Sequence, residues 1–136
     1  MRSRFAVGSL LMTVVFATAV LASGDRRPSR QWATIYLFAP TLIGSTFVQG
    51  PVLFVHDDAK MARGEPCTTV QLFEPGLGPS EAIASFHCTP IRRSPVSIFT
   101  LRTRPNTQDG IGCVLTEYQF AGDSEGHGVP QAGAVH

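Results

Sequence analysis

The sequence lacks the closely spaced ligand pairs by which most metal and redox sites are recognised. Its 136 residues contain no Cys-x-x-Cys, His-x-His or His-x-x-x-His. They also contain no Gly-x-Ser-x-Gly nucleophile turn, and Gly76-x-Gly78 is not placed between a strand and a helix as a phosphate-binding loop would be. These absences argue against a redox dithiol, a zinc ribbon and the common hydrolases, so we predict no catalytic residues.

Neither sign of charge dominates. The chain carries a formal net charge of +1, and two of its 11 basic residues, Arg2 and Arg4, lie within residues 1–24, whereas all 10 acidic residues lie within residues 25–136. The remainder carries a charge of −1, which provides no field that would attract nucleic acid or an acidic membrane surface. We therefore expect no nucleic-acid partner.

Charge is absent from Phe5 to Gly24, directly after the two N-terminal arginines. Val20 and Ala22 are small enough for the −3 and −1 positions of a signal-peptidase site, so residues 1–24 are predicted to be a signal peptide. An uncut run of about 20 apolar residues would span a bilayer. The protein is then either secreted or periplasmic, or anchored to the membrane by residues 5–24, with an envelope or extracellular partner of unknown kind.

Short runs of β-branched and aromatic residues, separated by Gly and Pro, fill the rest of the chain. They predict a mainly β fold, a single small antiparallel β-sandwich or barrel of about seven strands. Residues 25–31 would be a linker, residues 32–121 the β-domain, and residues 122–136 a loop and flexible C-terminal tail. The predicted strands are Trp32–Phe38, Leu42–Gln49, Val52–His56, Thr68–Phe73, Ala82–Cys88, Val96–Arg104 and Ile111–Phe120.

Three local features interrupt this pattern. Gly50-Pro51 predicts a turn between two strands, because Gly accepts positive φ and Pro cannot continue a ladder. Asp58–Gly64 predicts one helical turn, capped by Asp57 or Asp58 and stopped by Gly64. Arg92-Arg93, between two prolines, is expected to be a solvated charge pair.

The three cysteines lie far apart in the sequence, and export would place them in an oxidising compartment. A Cys67–Cys88 disulfide is favoured, because strands joined by a loop are often neighbours. Such a bridge would contribute about 3 kcal/mol by the loop-entropy model. Cys113 would then be a buried spare thiol, although the sequence leaves open which two cysteines pair.

Five further side chains are candidate metal ligands: His56, His87, His127, Asp57 and Cys113. Imidazole, carboxylate and thiolate groups suit zinc or copper. The missing close spacing favours ordinary roles, with His56 and His87 at strand ends, His127 in a solvated loop and Asp57 as a helix cap. We expect no cofactor, and zinc or copper is the alternative.

Three segments carry a resemblance to a known family: VHDDAKMARGEPC (55–67), SFHC (85–88) and LTEYQFAGDSEGHGVP (115–130). In them the chain resembles a family of small exported bacterial proteins of unknown function, over about residues 35–130. The resemblance implies export and a shared fold, and it implies no reaction.

The sequence favours a non-enzymatic secreted or envelope-associated β-domain with a binding or structural role. This interpretation predicts histidines without a common centre and an apolar or aromatic patch on one face. The alternative is a periplasmic metal-binding protein that uses His, Cys and Asp side chains, which predicts that these side chains converge on one ion.

Overall fold

Eight strands and one short helix make up the part of the chain that the computed structural model describes, residues 28–131. The predicted signal segment and the last five residues lie outside this range. Within it, no helix has the length and hydropathy needed to cross a bilayer. The elements are β1 (Arg30–Ile43), β2 (Thr46–Asp57), α1 (Asp58–Ala62), β3 (Thr68–Glu74), β4 (Gly78–Phe86), β5 (Thr89–Arg92), β6 (Thr100–Pro105), β7 (Cys113–Gln119) and β8 (Glu125–Gly128).

All eight strands belong to one curled sheet. Seven follow the order β4-β3-β2-β1-β7-β8-β5, and β6 lies beside β7. Neighbouring strands are antiparallel except β1 and β7, which run parallel. The predicted mainly β class is confirmed. The sheet is mixed rather than antiparallel, and it curls into a half-barrel rather than forming the two packed layers of a clear sandwich.

The parallel contact between β1 and β7 is short. It pairs Thr41 with Cys113 and Leu42 with Val114. Gly112 precedes the contact with a φ of +66°, and a Cβ atom built there would overlap with the backbone carbonyl of Pro40. A glycine is therefore required here for two reasons: its backbone conformation and the close approach of β1.

The inner face of the curl holds the core. Alternate residues of β2 point inward and are fully or almost fully buried, from Val48 through Val52 and Phe54 to His56. Phe54 packs against Tyr118 of β7, with ring centroids 5.4 Å apart. The opposite face of β1 exposes large aromatic side chains, so one face of the sheet is apolar and solvent-exposed, namely at Trp32, Tyr36 and Phe38.

Two predictions about local structure differ in outcome. Asp57 caps α1 by accepting hydrogen bonds from the backbone N–H groups of Ala59 and Lys60, as the sequence predicted. The turn predicted at Gly50-Pro51 is wrong, since both residues lie inside β2 and the hairpin turn comes before β2, at Gly44. Pro51 is tolerated because pairing between β2 and β3 begins only at Val52.

The region expected to be a loop and tail, residues 122–136, contains strand β8 within its described part. β8 has the sequence Glu-Gly-His-Gly and pairs with both β7 and β5. Sequence patterning missed it because the strand contains no apolar residue. His127, expected in a solvated loop, is fully buried.

Arg93, expected to be solvated, forms an ion pair with Glu117. Its Nε and Nη2 atoms donate to the two carboxylate oxygens at 2.9 and 2.6 Å, and Arg102 Nη1 donates to Oε1 at 3.1 Å. The Glu117 side chain is almost fully buried, so the two guanidinium groups compensate the loss of water around its charge. The hydrogen bonds from Arg93 hold the pKa of this carboxyl below its ordinary value.

We expect Gly112→Ala to destabilise the fold much more than Gly110→Ala. Both glycines have φ near +67°, at +66° and +68°, but a Cβ atom at residue 110 meets nothing within 4 Å. Gly110→Ala should therefore cost about 1 kcal/mol of strain, and Gly112→Ala at least about 2 kcal/mol more. Urea unfolding monitored by circular dichroism gives both values, and equal losses would contradict the proposed close approach of Pro40.

We also expect the ion pair of Glu117 to make stability depend on pH. Because its pKa is lowered in the folded state, its contribution is complete above the unfolded value of about 4.3 and is lost as the pH falls through the folded value. Glu117→Gln should cost about 2 kcal/mol at pH 7 and less at acidic pH. Glu65→Gln is the matched control, because the Arg63–Glu65 pair is exposed and should contribute little. Urea unfolding at several pH values measures both, and equal pH profiles for the two variants would refute the prediction.

Candidate metal centre

Four side chains with metal-binding atoms meet at one end of the curled sheet. His56 is the last inward-facing residue of β2, and Cys67 directly precedes β3. β3 and β4 pair with Thr68 opposite Phe86, which brings Cys88, in the link to β5, beside Cys67. His127 lies in β8, opposite Tyr118 of β7 and Pro90 of β5. The curl of the sheet thus brings β2 and β8 together.

Two of the distances within this group match those between ligands of one ion. Nδ1 of His56 and Nδ1 of His127 each lie 3.6 Å from the sulfur of Cys88. A nitrogen and a sulfur ligand of one tetrahedral zinc ion would be about 3.5 Å apart, given Zn–N near 2.0–2.1 Å and Zn–S near 2.3 Å. The donor atoms of all three residues lie within 4.8 Å of one another, and all three residues are buried.

Cys67 is in direct contact with this group. Its sulfur lies 2.8 Å from the sulfur of Cys88 and accepts a hydrogen bond from the backbone N–H of Cys88 at 3.2 Å. A disulfide bond is about 2.05 Å long, so both residues are free thiols in the structure and the predicted Cys67–Cys88 bridge is not confirmed. The predicted proximity of the two cysteines is present.

Asp58 fixes the orientation of His56. Its Oδ1 lies 2.8 Å from Nε2 of the imidazole. Because a carboxylate only accepts, Nε2 carries the proton and Nδ1 offers its lone pair toward Cys88. A carboxylate behind a histidine is the usual second layer of a metal site, where it orients the ring and makes the ligating nitrogen more basic.

Tyr118 lies against both histidines. Its ring stacks on that of His127 with centroids 4.8 Å apart, and its hydroxyl lies 3.5 Å from Nδ1 of His56. The hydroxyl also forms a short hydrogen bond with Oγ1 of Thr68, at 2.5 Å. Burial raises the pKa of Tyr118 far above its ordinary value, so the phenol stays neutral. Its ring forms one side of the site, and its hydroxyl contributes hydrogen bonds there.

Burial, together with the hydrogen bond to the neighbouring Cys67 sulfur, raises the pKa of the Cys88 thiol to about 12. The thiol is therefore protonated at neutral pH when no cation is near. A bound metal ion replaces this proton, since a coordinating thiol is deprotonated by the charge of the ion.

The other predicted ligands lie away from this cluster. His87 is exposed, and Asp57 is engaged as the cap of α1. Cys113 lies at the start of β7, with its sulfur 3.5 Å from Oγ1 of Thr41, and it is only partly buried. Of the five candidate metal ligands, His56 and His127 are brought together.

Sequence reasoning did not assign Cys67 and Cys88 to a metal site, nor Asp58 to His56. The ligands are far apart in the chain, with His56 and His127 separated from Cys88 by 32 and 39 residues. The one local signal was His56-Asp57-Asp58, because a carboxylate two residues after a strand-end histidine can reach back to its ring.

A surface pocket of about 250 Å³ reaches the cluster on the side of Cys67. Arg30, Asp57 and Lys60 contribute its charged lining, and Cys67 belongs to its wall. The pocket therefore meets the cluster at Cys67, whose side chain is itself buried.

Comparisons with protein-family models, with curated proteins and with solved structures find no match to this chain. The function is therefore inferred from the geometry of the site.

Proposed function

We propose that this protein binds a transition-metal ion, zinc or copper, through His56, Cys88 and His127. The observation that carries the proposal is the pair of 3.6 Å distances from the Cys88 sulfur to the Nδ1 atoms of the two imidazoles. Three donors of the kinds that zinc and copper prefer lie close together in the interior. Two of them come from strands β2 and β8, and the third comes from the link between β4 and β5.

The surroundings of the cluster support a closed site, in which a bound ion would not be presented to a substrate. All three ligand residues are buried, and Tyr118 closes one side by stacking on His127. Asp58 supplies the charge behind His56. Structural metal sites are closed in this way, whereas catalytic sites keep an open position for water or substrate.

This function is compatible with the structural role favoured by the sequence. An ion bound to His56, at the end of β2, and to His127, in β8, would link strands that are not neighbours in the sheet. Because the unfolded chain does not present the ligands together, the free energy of binding adds to the free energy of folding.

We expect the full-length protein, purified under reducing conditions without a chelator, to contain about one zinc or copper ion per chain. Cys88→Ser and His127→Gln should each lose most of that ion, because each removes a donor. His87→Ala and Cys113→Ser remove the same kinds of donor outside the cluster and should retain it. Elemental analysis and native mass spectrometry measure the content, and circular dichroism shows whether each variant is folded.

The proposal would be wrong if the folded native protein bound neither ion when supplied with one equivalent. It would also be wrong if Cys88→Ser and His127→Gln bound as much metal as the two control variants. Cobalt(II) provides an independent probe, because a thiolate ligand adds a charge-transfer absorption band that Cys88→Ser should abolish and Cys113→Ser should leave.

We expect Asp58→Asn to weaken metal binding at least about tenfold, because it removes the negative charge that makes Nδ1 of His56 a stronger metal ligand. Asp57→Asn is the matched control: it removes the same charge one residue away, and asparagine still caps α1. Competition with a chelator of known affinity measures both dissociation constants. An equal effect of the two substitutions would indicate a general electrostatic influence and no specific role for Asp58.

A further inference from the structure

We propose that Cys67 and Cys88 form a thiol–disulfide switch that controls occupancy of the site: the dithiol holds the metal ion and the disulfide releases it. This inference rests on the proposed function, since it concerns the same site. It assigns a role to Cys67, which the three-residue cluster does not require.

The separation of the two sulfurs carries the inference. At 2.8 Å it lies between the values of two alternative states. Two thiolates on one tetrahedral zinc ion are about 3.8 Å apart, given Zn–S near 2.3 Å, whereas a disulfide joins its sulfurs at about 2.05 Å. Either state is reached by moving the sulfurs about 1 Å or less, so the hairpin of β3 and β4 permits both.

The two states exclude each other. A metal-bound thiolate uses a lone pair and a negative charge that the sulfur no longer has once it is bonded to a second sulfur. Formation of the bridge therefore removes the Cys88 ligand, and Cys67 as well if it is the fourth ligand. Only His56 and His127 then remain, and two neutral imidazoles hold zinc much less tightly than a set that includes thiolates.

Cys67 belongs to the wall of the pocket, so this pocket is the route by which we propose that an oxidant reaches the pair. Arg30 and Lys60 line it with two positive charges against the one negative charge of Asp57. The lining therefore has a net positive charge, which would attract an anionic small-molecule disulfide such as glutathione disulfide. Within residues 28–131 no second thiol lies beside Cys113, whose sulfur contacts Oγ1 of Thr41.

The chemistry is a two-electron exchange with such a disulfide, RSSR. The Cys67 thiol gives up its proton to solvent, and the resulting thiolate attacks one sulfur of RSSR, which forms Cys67–S–S–R and releases one thiolate RS⁻. The Cys88 thiolate then attacks the Cys67 sulfur, which forms the Cys67–Cys88 bond and releases the second RS⁻. The two cysteines are oxidised, RSSR is reduced to two RS⁻, and the metal ion leaves as a free divalent cation.

The test uses the full chain carrying Cys113→Ser, so that only Cys67 and Cys88 remain. The reduced protein is first loaded with one equivalent of zinc, and binding is verified before any oxidant is added. Glutathione disulfide is then added while a chromogenic chelator records zinc release and intact mass spectrometry records the state of the thiols. Cys67→Ser and Cys88→Ser on the same background are the comparison variants.

We expect release of about one zinc ion per chain together with loss of two hydrogens from the protein mass, both reversed by dithiothreitol and fresh zinc. Cys88→Ser should accumulate a glutathione adduct on Cys67, because no second thiol is present to resolve it. Cys67→Ser should form no internal bridge. Zinc that stays bound to the bridged protein, or release that is as fast in Cys67→Ser, would overturn the switch.

The loading step separates the two proposals. Reduced protein that binds no zinc or copper contradicts the metal-binding function itself, whatever happens on oxidation. Reduced protein that binds zinc and keeps it after oxidation contradicts the switch alone.

Discussion

The two-residue parallel contact between β1 and β7 is the constraint on which the rest of the structure depends. Strands β1 to β4 form one antiparallel series, and strands β5 to β8 form another group around β7. Backbone pairing joins them at Thr41–Cys113 and Leu42–Val114. Such a short ladder contributes few hydrogen bonds, so side chains across the curl must hold the two groups together, among them Phe54 against Tyr118 and Thr68 bonded to Tyr118.

The candidate metal centre lies where these two groups of strands face each other. His56 and Cys67 come from the first group, His127 comes from the second, and Cys88 lies in the link between them. An ion at this position would add a connection where the backbone provides little. By linkage, a ligand present at 1,000 times its dissociation constant stabilises the folded state by about 4 kcal/mol, which is a large share of the stability of a small domain.

The parts of the fold that were predicted correctly are those with local signals. Short runs of β-branched and aromatic residues indicated strands in the regions of β2, β3 and β7, and Asp57-Asp58 before a polar turn indicated the cap of α1, which is Asp57. Strand β8 carries no such signal, because two glycines and two polar residues take their strand conformation only from pairing with β5 and β7. The turn predicted at Gly50-Pro51 was wrong for a related reason: Pro51 can lie within β2 because the pairing with β3 starts only at Val52, which the sequence does not show.

The site itself could not be predicted from the sequence either, because it also depends on tertiary structure. The cysteine pair was foreseen because a hairpin makes it nearly local, whereas its approach to His56 and His127 requires the curl of the whole sheet. The missing close spacing, which argued against a metal site, excludes only sites built on one turn or one hairpin. The ligands of a site assembled from β2, β8 and the link before β5 have no characteristic spacing in the sequence.

The buried cluster is more polar than packing alone would favour. His56, Thr68, Tyr118 and His127 are fully buried around two buried thiols. Each polar group that leaves water costs free energy that hydrogen bonds only partly return, and apolar side chains of similar volume would pack the same space at lower cost. A small domain can bear that cost when a ligand repays it. Two imidazoles around a thiol are donors that a transition-metal ion would use, and for this reason we propose that the cluster binds an ion.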